Sequence, residues 1–68
     1  MEYMGIKITG YRIVIRRDGE EQVMSFPPTI FGKVAYEAAA DVLAHESSVY
    51  PYTESINVGT GVMEYVFE

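Results

Sequence analysis

Between Tyr11 and Arg17 the chain alternates, with Tyr11, Ile13 and Ile15 on one side and Arg12, Val14 and Arg16 on the other. That is the period of a half-buried strand. Asp18-Gly19 follows, the pair preferred in two-residue type I′ turns. Such a turn sets Arg17 opposite Glu20, Arg16 opposite Glu21, Val14 opposite Val23, Ile13 opposite Met24 and Tyr11 opposite Phe26. Apolar residues meet apolar residues and opposite charges meet, so pattern and turn chemistry predict the same hairpin. Ile6 and Ile8 have the opposite parity to Tyr11 and Ile13. Either a bulge at Gly10 restores them to the buried face, or the strand starts near Gly10 and they cover something else.

Pro27-Pro28 ends the second strand, since proline donates no ladder hydrogen bond. Thr29 then predicts the N-cap of a helix over residues 30–46. Its inward face is expected to carry Phe31, Val34, Ala35, Ala38, Val42 and His45, widened by Ala39 and Leu43, with Lys33, Glu37 and Asp41 on the opposite side. A second hairpin follows: Ile56 and Val58 alternate with Ser55 and Asn57, then Met63, Tyr65 and Phe67 with Val62, Glu64, Val66 and Glu68. A two-residue turn at Gly59-Thr60 or Thr60-Gly61 keeps Ile56, Val58, Met63 and Tyr65 on one side. The expected fold is one α+β domain over residues 1–68. It is a ββαββ arrangement, with an antiparallel four-stranded sheet (strands near 10–17, 21–26, 54–58 and 62–67) carrying one helix on one face.

A 68-residue chain has a small core and little stability to spare. At 49% hydrophobic and 22% charged residues it is nonetheless too apolar for a disordered segment. The absence of cysteine removes disulfides and thiolate metal sites, and a lone histidine argues against structural zinc. No apolar run reaches the length of a membrane span and no secretory leader pattern opens the chain, so a cytoplasmic protein is expected.

Charge changes the picture more. Residues 1–33 hold four acids and five bases, while residues 34–68 hold six acids (Glu37, Asp41, Glu46, Glu54, Glu64 and Glu68) and no base. The net charge of −5 argues against direct binding to nucleic acid or an anionic membrane and points to a basic protein surface. Catalytic chemistry finds little support. Glu37, Asp41 and His45 stack at helical spacing but need further ligands or partners from elsewhere. Gly59-Thr60-Gly61 lacks the lysine and the strand-to-helix setting of a phosphate loop. Neither an enzyme nor a cofactor is expected. Tyr36, Tyr50 and Tyr52 have no evident place in the core, and tyrosine is enriched at interfaces. Glu37, Asp41, Glu46, Tyr50, Tyr52 and Glu54 are therefore the expected partner-binding residues.

Spaced carboxylates on a small rigid frame imitate nucleic-acid phosphates. The cysteine-free ββαββ pattern, with YEAAADVLAHE on the helix and SINVGTGVMEYVFE after it, resembles the small acidic inhibitors encoded by bacteriophages, including anti-CRISPR proteins. The resemblance covers the chain loosely and implies a non-enzymatic inhibitor that occupies a basic, nucleic-acid-binding surface of a partner protein. The cluster of Arg12, Arg16 and Arg17 departs from a uniformly acidic mimic and leaves at most one face to act so. The alternative is a structural domain that dimerises through an outward sheet patch of Val14, Val23, Val62 and Val66.

Overall fold

A computed structural model describes residues 2–46 and 52–68. Two short strands, β1 (Glu2–Tyr3) and β2 (Ile6–Lys7), form a small hairpin that precedes the main sheet. Then come β3 (Gly10–Arg17), β4 (Glu20–Phe26), α1 (Ile30–Glu46), β5 (Tyr52–Ile56) and β6 (Val62–Phe67). The β3–β4 register is the one expected from the turn, from Tyr11 opposite Phe26 to Arg17 opposite Glu20. Asp18 and Gly19 both have positive φ, 54° and 77°, as a type I′ turn requires. The main strand begins at Gly10, with Ile8 buried ahead of it.

The sheet is mixed, in the order β4-β3-β6-β5, and this corrects the expected antiparallel arrangement. Each hairpin is antiparallel, but β3 and β6 pair in parallel from Gly10 opposite Val62 to Ile15 opposite Phe67. The cause is the single helix between the hairpins. It carries the chain back across the sheet, so that β5 starts at the end where β4 started. With β5 parallel to β4, β6 must run parallel to β3. The second hairpin differs in detail as well. Ile56 does face Met63, but β5 occupies 52–56 rather than 54–58, and a wider loop replaces the two-residue turn. The Asn57 carbonyl accepts from the Thr60 and Gly61 amides, and its side-chain oxygen accepts from those of Gly59 and Thr60. Val58 is carried into solvent instead of joining the buried face.

Helix α1 keeps its expected bounds and cap, the Gly32 amide donating to Thr29 Oγ1 at 3.0 Å. Its rotation is a correction. Gly32, Tyr36 and Ala40 face the sheet, with Ala39, Leu43 and Ala44 beside them. Phe31 is 87% exposed and Val42 is 56% exposed, and Val34, Ala35, Ala38 and His45 also face solvent. Gly32 accounts for this setting. A Cβ there would overlap the Pro27 carbonyl, so only a glycine lets the first helical turn pass the Pro27-Pro28 corner. Gly32→Ala gains helix propensity yet is expected to destabilise the domain by about 2 kcal/mol through that overlap. Urea unfolding of the variant measures the loss.

Tyr36 is 1% exposed and is the centre of the core, not a surface residue. Its ring packs 4.8 Å from Tyr11, 5.2 Å from Tyr65 and 6.1 Å from Phe26, which ties the helix to three strands. Ile8, Ile13, Met63 and Phe67 complete the cluster. On the opposite sheet face, Val14 is only 4% exposed. Ion pairs run across the strands there: Arg12 to Glu64 at 2.7 Å, and Arg16 to Glu21 at 2.9 Å and Glu68 at 3.3 Å. Their aliphatic stems lie over apolar surface. The expected open valine patch is therefore interrupted by charged side chains, with Val62 and Val66 partly buried.

Candidate partner-binding groove

Helix α1 lies mainly over β3 and β4. The β6–β5 half of the same sheet face stays open, and a groove runs there between the helix and the edge strand. Its larger part is a cleft of about 340 Å³ between Lys33 and Glu37 of the helix and Glu54 of β5, with Met63 and Tyr65 of β6 among its lining. Glu2 and Tyr3 of the first hairpin also line it. A smaller cleft of about 170 Å³ continues along the helix past Asp41 to Tyr52, sharing Glu37 and Tyr65 with the first.

The period of each element brings these groups together. Glu37 and Asp41 are one helical turn apart. Tyr52, Glu54 and Ile56 share one face of β5, which alternation along a strand makes legible from the sequence. Tyr52 stacks on Phe67 at 4.9 Å and stays 48% exposed, an aromatic surface held in place but open to a partner. Glu54 accepts a hydrogen bond from the Tyr36 hydroxyl at 2.9 Å. Burial, and then this bond, push the Tyr36 hydroxyl far above its ordinary pKa. Tyr65 is raised by burial and by the Glu54 charge, and Tyr11 by burial and then by Glu37. Carboxylates and neutral phenols therefore face the same hollow.

The uneven charge distribution acquires a structural explanation. Because β3 lies beside β6, Arg12 and Arg16 from the first half of the chain neutralise Glu64 and Glu68 from the second. Those pairs stand on the far side of the sheet. Glu37, Asp41, Glu46 and Glu54 are exposed, with no ion pair among the described residues. Among the described residues, Lys33 is the one base that lines the larger cleft, against Glu2, Glu37 and Glu54. The groove side is thus net acidic.

Of the expected binding residues, Glu37, Asp41, Tyr52 and Glu54 line the two clefts. Glu46 lies exposed on the last helical turn and lines neither. Tyr50 lies outside the described residues. The sequence reading missed Glu2, Tyr3, Lys33 and the tyrosine floor; the parity of Tyr11 with Ile13, and of Tyr65 with Met63, was the signal for that floor. Glu37, Asp41 and His45 do not converge: among the described residues no three His, Cys, Asp or Glu side chains could hold a metal ion. No helix of the described residues is long and apolar enough to cross a membrane. The chain matches no protein-family model, no curated protein and no solved structure.

Proposed function

We propose that this protein is a non-enzymatic binder whose acidic, tyrosine-lined groove receives basic side chains of a partner protein, as an inhibitor of a nucleic-acid-binding surface would. The observation that carries the reading is the convergence of exposed Glu37, Asp41 and Glu54, without ion-pair partners among the described residues, on a groove walled by tyrosine. Two of the three arginines that weakened the comparison with acidic mimics are paired elsewhere, and the third, Arg17, lines neither cleft of the groove. Arg12 and Arg16 pair with glutamates on the opposite sheet face and do not interrupt the groove. Each exposed carboxylate contributes little alone, about 1 kcal/mol or less. Their joint field steers a basic partner and makes its association salt-sensitive.

The test is a Glu37/Asp41/Glu46/Glu54→Lys variant, checked for native circular dichroism, against a partner recovered by affinity capture. Association is expected to slow by at least about tenfold at low salt, and wild-type binding to weaken steeply as salt rises. Tyr52→Ala is expected to speed dissociation, at about 2 kcal/mol, where that ring is an anchor. Undiminished binding by the fourfold variant overturns the reading.

A second reading rests on the exposed helix stripe of Ile30, Phe31, Val34, Ala38 and Val42. With small Ala38 at its middle and a valine one turn away on each side, the stripe matches itself about a two-fold axis. A second copy laid antiparallel would set Val34 against Val42 and oppose the two helix dipoles. Self-association would then use the helix rather than the sheet. Sedimentation equilibrium is expected to show a weak dimer that Phe31→Glu abolishes; a wild-type monomer at high micromolar concentration excludes it.

A further inference from the structure

Strand β5 ends the main sheet, and its outer edge has no strand partner among the described residues. The register fixes which backbone groups that edge offers. The Asn57 amide donates to the Val62 carbonyl at 2.9 Å, so these two form a hydrogen-bonded pair. Alternation makes Ser55–Glu64 and Thr53–Val66 the next such pairs. The N–H and C=O groups of Tyr52, Glu54 and Ile56 therefore point away from β6. The side chains of the same three residues stand on the groove face, opposite Phe67, Tyr65 and Met63. One edge thus presents free backbone groups and the groove side chains together.

Two further features select the occupant. Strand β5 contains no lysine, proline or break in its ladder with β6, and its one charge, Glu54 on the groove face, guards the edge against an acidic strand but not against a basic one. A second copy of β5 is a poor match, because an antiparallel pair centred on Glu54 would set two carboxylates face to face. The other edge, β4, borders a cleft of about 290 Å³ between Gln22 and Leu43, but that cleft includes Arg17 and no aromatic ring, so it offers an added basic strand no acidic, tyrosine-lined groove.

We propose that the β5 edge takes up an extended basic segment as an additional antiparallel strand, with a lysine or arginine opposite Glu54 projecting into the groove. Main-chain hydrogen bonds to Tyr52, Glu54 and Ile56 hold the segment. The carboxylates of Glu54 and Glu37 select the cation. Glu54 retains acceptor capacity beyond the Tyr36 hydrogen bond, since a carboxylate has about four lone-pair sites. The inference rests on the acidic-groove reading for the charge of the occupant and adds the means by which it docks.

The probe is a capped eight-residue peptide of alternating lysine and threonine carrying a fluorophore, followed by anisotropy at low salt. In an antiparallel addition with lysines on the groove face, the lysine amides point to β5 and the threonine amides point away. N-methylation of the lysine amides is expected to weaken binding by at least about tenfold, and methylation of the threonine amides by less than about twofold. Glu54→Gln, which keeps an acceptor for Tyr36, is expected to weaken the unmethylated peptide by about tenfold. Equal losses from both methylation patterns, or a loss confined to the threonine pattern, overturn antiparallel strand addition and leave the acidic groove standing. Failure of the unmethylated peptide to bind overturns both.

Discussion

Tyr36→Ala is expected to unfold the domain. Large-to-small replacement of a buried aromatic costs about 3–5 kcal/mol, and a core of this size rarely supplies more than that. The effect concentrates at Tyr36 because one ring holds three strands: it contacts Tyr11 on β3, Phe26 on β4 and Tyr65 on β6. Alanines at 39 and 40 and Gly32 let the helix sit close, which leaves Tyr36 as the large side chain filling the space over the sheet centre. Tyr36→Phe separates the ring from the hydroxyl. It keeps the aromatic contacts, loses the bond to Glu54, and is expected to cost about 1 kcal/mol. Val42→Asp is the control. On a helix facing the sheet with Val42 it would be lethal to the fold; at an exposed position it is expected to stay within about 0.5 kcal/mol. Urea unfolding followed by circular dichroism orders the three variants, and Val42→Asp as the least stable of them would reverse the helix.

The elements were legible because local chemistry specifies them. Asp18-Gly19 dictates a primed turn, and the register of seven residue pairs follows from it. Thr29 after two prolines marks where the helix begins. The helix rotation was not legible, for a definite reason: α1 carries two apolar stripes. Phe31, Val34, Ala38 and Val42 form one, and Tyr36, Ala39, Ala40 and Leu43 form the other. Periodicity does not choose between them. The choice is made by a contact distant in character from periodicity, the fit of Gly32 against the Pro27 backbone. The parallel β3–β6 pair escaped for a related reason. Hairpins announce their own pairing through their turns, whereas the pairing between hairpins is set by where a 17-residue helix returns the chain.

The candidate site divides in the same way. Glu37 and Asp41 on one helical ridge, and Glu54 beside Tyr52, follow from helix and strand periods. Their approach across a groove follows from the helix leaning toward β3 and β4, which no local pattern encodes. Misplacing Tyr36 on the surface concealed the groove itself, because its floor is the tyrosine cluster around that ring. The same misplacement lent an interfacial role to a residue whose hydroxyl instead anchors Glu54 from below.

That cluster also predicts a steep loss of stability in alkali. Tyr11, Tyr36 and Tyr65 are all raised above the ordinary value of 10.0, chiefly by burial, with Glu37 and Glu54 opposing a phenolate. For an acid whose folded pKa lies above its unfolded one, the folded state keeps a proton that the unfolded chain releases. The stabilisation is complete below pH 10 and is lost as pH rises through the folded values. A tyrosine contributes a slope of about 1.4 kcal/mol per pH unit only while the unfolded chain is ionised and the folded hydroxyl keeps its proton. Tyr36 carries this slope furthest into alkali because its hydroxyl is raised far above the ordinary value, and Tyr11 and Tyr65 act in the same direction. Unfolding free energies from urea titrations are therefore expected to be level from pH 7 to 9 and to fall as pH rises above 10. Tyr36→Phe removes the largest of these shifts, so its slope above pH 10 is expected to be shallower than that of the wild type although the variant starts less stable. A Tyr36→Phe slope equal to that of the wild type would place the Tyr36 hydroxyl in solvent and separate it from Glu54.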